Sequence, residues 1–338
     1  MRDEKRVVLG LSGGVDSAVC LALLREQGYV VTGLYLENGV SPDGARDAKA
    51  VADRFGVELL VQDIRAALEE KVCAPFERAY RAGQTPNPCI LCNPTVKFKT
   101  LLACADELGA EYIATGHYAR TENGNLCKGR PANDQSYMLC RLTREQVSRL
   151  LLPLGDYEKR TQVRAMAEDF GIPVAQKPDS MEICFIPDKD YAGWMDRRAP
   201  LPGPGDFVLH GEVIGQHDGV CHYTVGQRRP GLVNERKVYI SRIDAETNTI
   251  QLAYWDELFH TEVAAERFNW LIDPPEGDLR ASVRVRHTKW ENPPCTARIE
   301  GESVRITCDE PVRAPAPGQS AVLYDEDRVL GGGFITEA

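Results

Sequence analysis

Eight residues near the N-terminus, Gly10-Leu11-Ser12-Gly13-Gly14-Val15-Asp16-Ser17, have the types and spacing to hold a phosphate group. Val7-Val8-Leu9 before them is a short apolar, β-branched run and predicts a buried strand. Ala18 to Gln27 after them is apolar on one face and predicts a helix, with Gly28 as its C′ cap. A tight glycine turn between strand and helix presents free backbone N–H groups, and the helix dipole favours an anion there. Gly13 and Gly14 let the backbone approach that anion, and Ser12 and Ser17 supply hydroxyls. Asp16 would be a carboxylate beside a phosphate, which makes sense if it holds Mg²⁺. No lysine stands where a G-x-x-x-x-G-K-[ST] loop requires one, and the glycines are not spaced as G-x-G-x-x-G. The plain alternative is a strand-to-helix turn capped by Ser and Asp.

Thiols form the second group. Cys89 and Cys92 make C-x-x-C inside the proline-rich stretch Thr85-Pro86-Asn87-Pro88-Cys89-Ile90-Leu91-Cys92-Asn93-Pro94. The spacing suits a redox pair, half a zinc site or part of an iron–sulfur site, and no second C-x-x-C or His pair completes a zinc site. The prolines predict irregular backbone, with a helix from about Thr95 to Gly109. Cys92 would then lie close to a helix N-terminus, with Lys97 and Lys99 nearby, and its thiol pKa should fall. Cys184 stands alone after the polar loop Lys177-Pro178-Asp179-Ser180-Met181-Glu182. Cys20 and Cys104 in predicted helices, and Cys221, Cys295 and Cys308 in strand-like stretches, read as small buried apolar residues.

The elements that must position these groups alternate. Val30–Leu36, Val57–Val61 and Tyr112–His117 predict strands; Ala45–Phe55, Ile64–Arg81 and Thr161–Phe170 predict helices. That rhythm implies a parallel sheet covered on both faces, with ligands beyond the carboxyl ends of the strands. Thr143-Arg144-Glu145-Gln146 matches a capping box. After Pro200-Leu201-Pro202-Gly203-Pro204-Gly205 helical periodicity stops and short strands alternate with turns. The division predicted is an α/β catalytic domain over 1–199, a small β-rich domain over 200–263 and a C-terminal β-barrel over 264–338.

Composition bounds the rest. The 338 residues are 43% hydrophobic, enough for packed cores, and no apolar run approaches a membrane span. The charged N-terminus is unlike a signal peptide, so a cytoplasmic protein is expected, and its eleven cysteines are then no disulfide scaffold. A net charge of -10 argues against nucleic-acid binding by bulk charge and leaves room for a local basic patch. Arg280, Arg284, Arg286, Lys289 and Arg298, and separately Gln227, Arg228 and Arg229, are such groups.

Ser-Gly-Gly-x-Asp-Ser after a first strand resembles the pyrophosphate loop of the N-type ATP pyrophosphatases. With T-P-N-P-x-x-x-C-N-x-x-x-K-F, A-T-G-H-Y, D-Q-S-Y, I-C-F-I, Y-T-x-G-Q-R and P-G-Q-S-A-V-x-Y behind it in order, the chain resembles the bacterial tRNA-specific 2-thiouridylase family from Gly10 to Gly333. The resemblance implies that ATP adenylates O2 of the wobble uridine, position 34, of tRNAs for Lys, Glu and Gln. Sulfur then displaces AMP, and AMP and pyrophosphate are released. It implies ATP contacts at Gly10 to Ser17, Leu36 and Gly116. It makes Cys92 the nucleophile and Cys184 the persulfide-bearing cysteine. Asn87, Pro88 and Cys89 would border the target base, while His117, Asn133, Asp134, Gln135, Arg286, His287 and Gln319 would contact tRNA. A sulfur-donor protein, such as a cysteine desulfurase or relay protein, is the implied partner.

Two departures from the family pattern stand out. Many members have Asp where this chain has Cys89, and Met where it has Leu36. Cys89, Cys92 and Cys184 together are three thiols, the number that holds a 4Fe–4S cluster with one open iron. Two routes to sulfur therefore stay open: a persulfide on Cys184, or hydrosulfide on the open iron of a cluster; loss of the cluster in air would leave Cys92 and either partner near disulfide distance. The rival readings are a tRNA 2-thiocytidine synthase, an ATP-dependent amidotransferase or ligase, and a non-enzymatic RNA- or metal-binding protein. The β-rich region after Pro200 disfavours the first, and the complete phosphate loop disfavours the last.

Overall fold

The structure, a computed structural model, describes residues 5–40, 43–178, 183–229, 236–287 and 292–337. Asp179–Glu182 and Lys289, singled out above, lie outside them. The chain forms two compact units: 1–72, 89–187 and 327–329 in the first, 73–88, 188–326 and 330–338 in the second.

In the first unit, β1 (Arg6–Gly10), β2 (Val30–Glu37), β3 (Leu59–Asp63), β4 (Tyr112–Ala114) and, after the hairpin β5 (Ala119–Glu122) and β6 (Asn125–Lys128), β7 (Leu150–Leu151) are introduced in chain order. The sheet runs β3-β2-β1-β4-β7, all parallel. Leu9 pairs with Gly33 on one side and Ala114 on the other, so the strands around the glycine loop end level. The order reverses at β1, and the crevice there is where such sheets bind ligands.

Helix α1 (Val15–Glu26) differs from its one-sided reading: Ser17 to Leu24 are all buried. A helix covered all round loses amphipathic contrast because it is packed on several sides. It ends as expected, with Gly28 at φ 84 and its N–H on the Arg25 carbonyl at 3.0 Å. Helix α2 (Gly44–Phe55) stops at left-handed Gly56.

Two helical expectations need correction. The helix expected over 64–81 is Arg65–Leu68, a π turn Glu69–Cys73, then Ala74–Arg81. Pro75 cannot donate to residue 71, and the wider turn absorbs that lost bond. The proline-rich stretch is not irregular throughout. Pro88–Cys92 is helical, Asn93–Lys97 is a π turn containing Pro94, and Phe98–Leu108 continues as α-helix. Pro88 at a first helical position costs nothing, because that N–H has no intrahelical partner anyway.

The second unit holds two sheets. β8 (Gly205–Leu209), β9 (Glu212–His217), β10 (Arg228–Arg229), β11 (Val238–Asp244) and β12 (Thr249–Tyr254) are ordered β10-β11-β12-β8-β9. β13 (Phe259–Trp270), β14 (Leu279–Arg284), β15 (Pro294–Glu300), β16 (Ser303–Arg313), β17 (Ser320–Asp325) and β18 (Arg328–Glu337) run β13-β16-β15-β14-β17-β18, and β13 pairs back with β18 to close a barrel. Its core includes Val263, Val283, Ile306, Leu323 and Ile335. Closure pairs β13 with β18 instead of leaving either as a free edge of the barrel. No helix among the described residues is long and apolar enough to cross a membrane.

Candidate active site

The glycine loop is knitted by its own hydroxyls. Ser17 Oγ donates to the Gly14 carbonyl at 3.0 Å, accepts from Ser12 N at 3.2 Å and lies 3.1 Å from Ser12 Oγ. Gly13 is left-handed (φ 73), and a Cβ there would sit 2.7 Å from the Gly44 carbonyl oxygen. A Cβ at Gly116 would fall 2.9 Å from the Asp16 carbonyl carbon. Both glycines are therefore needed for close approach: one presses the loop onto α2, the other brings the end of β4 onto the start of α1. Val15 is buried, Leu11 donates to Leu34 at 2.9 Å, and half-buried Leu36 sits in register with Gln62 at the carboxyl end of β2. The loop and its flanks thus share one sheet edge.

The charges on that edge were not legible beforehand. Asp16 Oδ1 accepts from the Tyr118 hydroxyl at 2.6 Å and Oδ2 from Lys159 Nζ at 2.8 Å. Lys177 Nζ bonds Asp47 Oδ2 at 2.7 Å and lies 3.4 Å from the Gly13 carbonyl. Two lysines from distant segments thus stand beside the glycine loop, which has no lysine of its own. Their only sequence signal is that each sits in a polar stretch. Asp16 keeps lone pairs for a cation, and Mg²⁺ is commonly held by one or two carboxylates together with substrate phosphates. The residues fit an ion that arrives with the nucleotide.

Cys89, Cys92 and Cys184 all belong to the first unit, and none of the eleven cysteines is in a disulfide. The Cys184 thiol feels the Cys92 and Cys89 thiols and Lys97, and Cys92 feels Lys97 and Cys89. The fold thus gathers the three around Lys97. Asn38, just past β2, donates to the Cys184 carbonyl at 3.4 Å and ties that segment to the same edge as the glycine loop. Among the described residues no group of three His, Cys, Asp or Glu side chains is placed to hold a metal ion.

The expected fall in the Cys92 pKa is overturned. Burial pushes this thiol up, and Lys97 only partly offsets it, because the residue lies inside a continuous helical run instead of at a free N-terminus. Burial pushes Cys184 up to about 11, although the residue as a whole is exposed. An ordinary cysteine reaches its maximal alkylation rate above a pKa of about 8.5. Cys184 should instead keep gaining about tenfold per pH unit towards pH 11. Mass-spectrometric iodoacetamide rates across pH 7 to 10 check this; a plateau near the ordinary value would contradict it.

The other residues expected to contact tRNA make hydrogen bonds within the fold. Buried Asp134 accepts from Gly129 N, Ser136 N and Ser136 Oγ at 2.9, 3.0 and 3.0 Å. Gln135 Oε1 accepts from Tyr118 N at 2.9 Å, and Asn133 N donates to the Arg130 carbonyl. These residues hold the loop that holds Tyr118, and Tyr118 holds Asp16. His117 shares 2.7 Å with Thr115 Oγ1 and stacks on Phe98, and burial lowers its pKa well below the usual value. A neutral imidazole suits a nucleobase better than a phosphate. In the second unit, Gln319 donates to the Thr85 carbonyl at 2.8 Å and so fixes the segment that carries Asn87 and buried Pro88. Arg286 donates to the carbonyls of Val225 and Ala314 at 2.8 and 2.7 Å, whereas His287 is exposed. Arg286 is a strut, and Arg286→Ala should lower stability by about 1.5–3 kcal/mol, as charged hydrogen bonds do; an unchanged urea midpoint would refute this.

Three family models cover the chain. Residues 5–188 match a tRNA methyl transferase HUP domain, 199–253 a tRNA methyl transferase PRC-barrel domain and 260–335 an aminomethyltransferase beta-barrel domain. The chain is 39% identical to tRNA-specific 2-thiouridylase MnmA 2 of Thermoanaerobacter sp. (strain X514) over 99% of both chains. It is 40% identical to tRNA-specific 2-thiouridylase MnmA of Syntrophotalea carbinolica, covering 98% of this chain and 99% of that one. The like-named protein of Paramagnetospirillum magneticum is also 40% identical, at 98% and 95%.

Proposed function

Because the chain belongs to the tRNA-specific 2-thiouridylase family, we propose that it replaces O2 of the wobble uridine of tRNAs for Lys, Glu and Gln with sulfur, using ATP. The observation that carries this reading is the gathering of Cys92 and Cys184 around Lys97 in the unit that also holds the glycine loop. A domain division at 1–199, 200–263 and 264–338 goes with it, as does a place in the cytoplasm.

A uracil C2 carbonyl is a poor electrophile, so its oxygen must first become a leaving group. O2 attacks the α-phosphorus of ATP and pyrophosphate leaves. Free N–H groups of the glycine loop, Lys159 and Lys177 neutralise the departing charge. Mg²⁺, when bound beside Asp16, supplies Lewis-acid stabilisation of that pyrophosphate. Leu36 and Gly116 flank the adenosine. The target base leaves the anticodon stack against Asn87, Pro88 and Cys89.

Sulfur arrives as a persulfide on Cys184, supplied by a donor protein. Its terminal sulfur attacks C2 and AMP leaves. Cys92 then attacks the inner sulfur, the S–S bond breaks, the thiocarbonyl stays on the base and a Cys92–Cys184 disulfide remains. A thiol reductant returns two electrons. A terminal persulfide is more acidic than a thiol, which suits a site where burial keeps Cys184 itself protonated. A 4Fe–4S centre on Cys89, Cys92 and Cys184 is the competing route, and iron analysis of protein purified without oxygen separates the two.

Purified protein, unmodified tRNA, ATP, Mg²⁺ and a persulfide source should yield 2-thiouridine and AMP in equal amounts. Formation of ADP in place of AMP, or of a methylated uridine, would sink the proposal.

A further inference from the structure

Trp255 and Phe259 are the aromatic members of the exposed large apolar side chains among the described residues, at 41% and 37% exposure. They stand at the start of the turn Trp255–Leu258 and of β13. Trp255 meets Tyr239 and Phe259 edge-on, with centroids 5.4 and 5.8 Å away. Arginines are threaded between the rings. Arg313 lies 4.2 Å from the Trp255 centroid and 5.4 Å from that of Tyr239, and Arg236 lies 3.8 Å from the Tyr254 centroid.

Two cavities open beside this cluster. One, of about 550 Å³, is walled by Arg236, Lys237, Tyr239, Tyr254, Trp255 and Asp256. The other, of about 540 Å³, has Phe259, Arg284, Arg286, Arg313 and Glu310 on its wall. Five cations stand against two carboxylates on these walls, in a chain whose net charge is -10; Arg236 is paired with Asp256 at 3.0 Å and Arg286 is bonded to backbone carbonyls, and the walls keep a net positive charge. Asn292, also on the second wall, has a buried Nδ2 with no acceptor among the described residues. Exposed rings and positive charge together match unstacked RNA: bases stack on the rings and phosphates meet the arginines.

We propose that this face of the second unit is an RNA-contact site, where Trp255 stacks on an unpaired nucleobase of the tRNA other than the target uridine and Arg236 and Arg284 take flanking phosphates. This rests on tRNA being the substrate. The excess of cations argues for a polyanion over a protein partner, which would otherwise suit an aromatic and arginine-rich surface.

The test measures tRNA affinity of the full chain by filter binding across a salt series. Trp255→Ala should weaken binding about tenfold, in line with one lost stacking contact. The salt slope should stay unchanged, since no counterion contact is lost. Trp255→Phe should restore most of the affinity. Arg236→Gln should weaken binding and flatten the slope by about one. In thiolation assays the Trp255→Ala loss should appear in KM for tRNA and vanish at saturating tRNA. Trp255→Ala binding within twofold of wild type would overturn the site. So would light scattering that shows a dimer dispersed by Trp255→Ala, which makes the face a self-interface. If wild type binds no tRNA, the thiouridylase reading itself fails.

Discussion

Cys184→Ser is expected to abolish 2-thiouridine formation, by a factor on the order of 10⁴ or more, as loss of a covalent nucleophile does, while tRNA-dependent AMP release continues. A hydroxyl cannot carry a sulfane sulfur, so C2 activation proceeds and nothing displaces AMP except water. Cys92→Ser should cause the same loss and leave sulfur stalled on Cys184. Cys89→Ser separates the two sulfur routes. The thiol is exposed and is the weakest of the three neighbours acting on Cys184. In the persulfide route its loss causes a modest change. If Cys89→Ser instead removed both thiolation and bound iron from anaerobically purified protein, the cluster route would stand. Mass spectrometry of digested tRNA, run beside AMP quantification, reads every arm.

Lys159→Met should lower tRNA-dependent AMP formation by about 10²–10³-fold, the usual cost of one preorganised charge at a transition state. Lys159 reaches Asp16 at 2.8 Å while Tyr118 holds the other carboxylate oxygen at 2.6 Å, so the ammonium is fixed beside the glycine loop before any nucleotide binds. Tyr118→Phe removes one neutral donor and should cost less. Asp16→Ala should lose AMP formation as well and free Lys159 to wander. Because thiolation follows adenylation, each variant should lower both products in parallel, unlike Cys184→Ser. Pyrophosphate release at the wild-type rate in Lys159→Met would show that the cation serves only the fold.

Much of the first unit is written in local patterns. A strand, Ser-Gly-Gly-x-Asp-Ser and a helix capped by Gly28 need only short-range sterics and free N–H groups, so their residues can be read in isolation. The same holds for the Thr143–Gln146 capping box, which forms with bonds of 2.9 and 3.0 Å. The alternating pattern after Pro200 likewise foretold strands, because side chains two apart share a face. Irregular backbone, the expectation for the residues around Pro88 and Pro94, gives way to helix, since proline bars a helix interior yet is accepted at a first turn or where a π turn has already given up the bond.

Pairing over distance was decided by the tertiary structure alone. No local pattern says that Lys159 answers Asp16, that Lys177 answers Asp47, or that Asn38 meets Cys184. Nor does spacing tell which groups of its own fold a carboxylate or guanidinium will bond: Asp134 meets Ser136 and Arg286 meets the Ala314 carbonyl. The Cys92 pKa shows the physical reason most directly. Its sequence neighbours Lys97 and Lys99 argue for a lower value, but desolvation depends on every atom packed around the sulfur, and that sum exists only once the chain has folded.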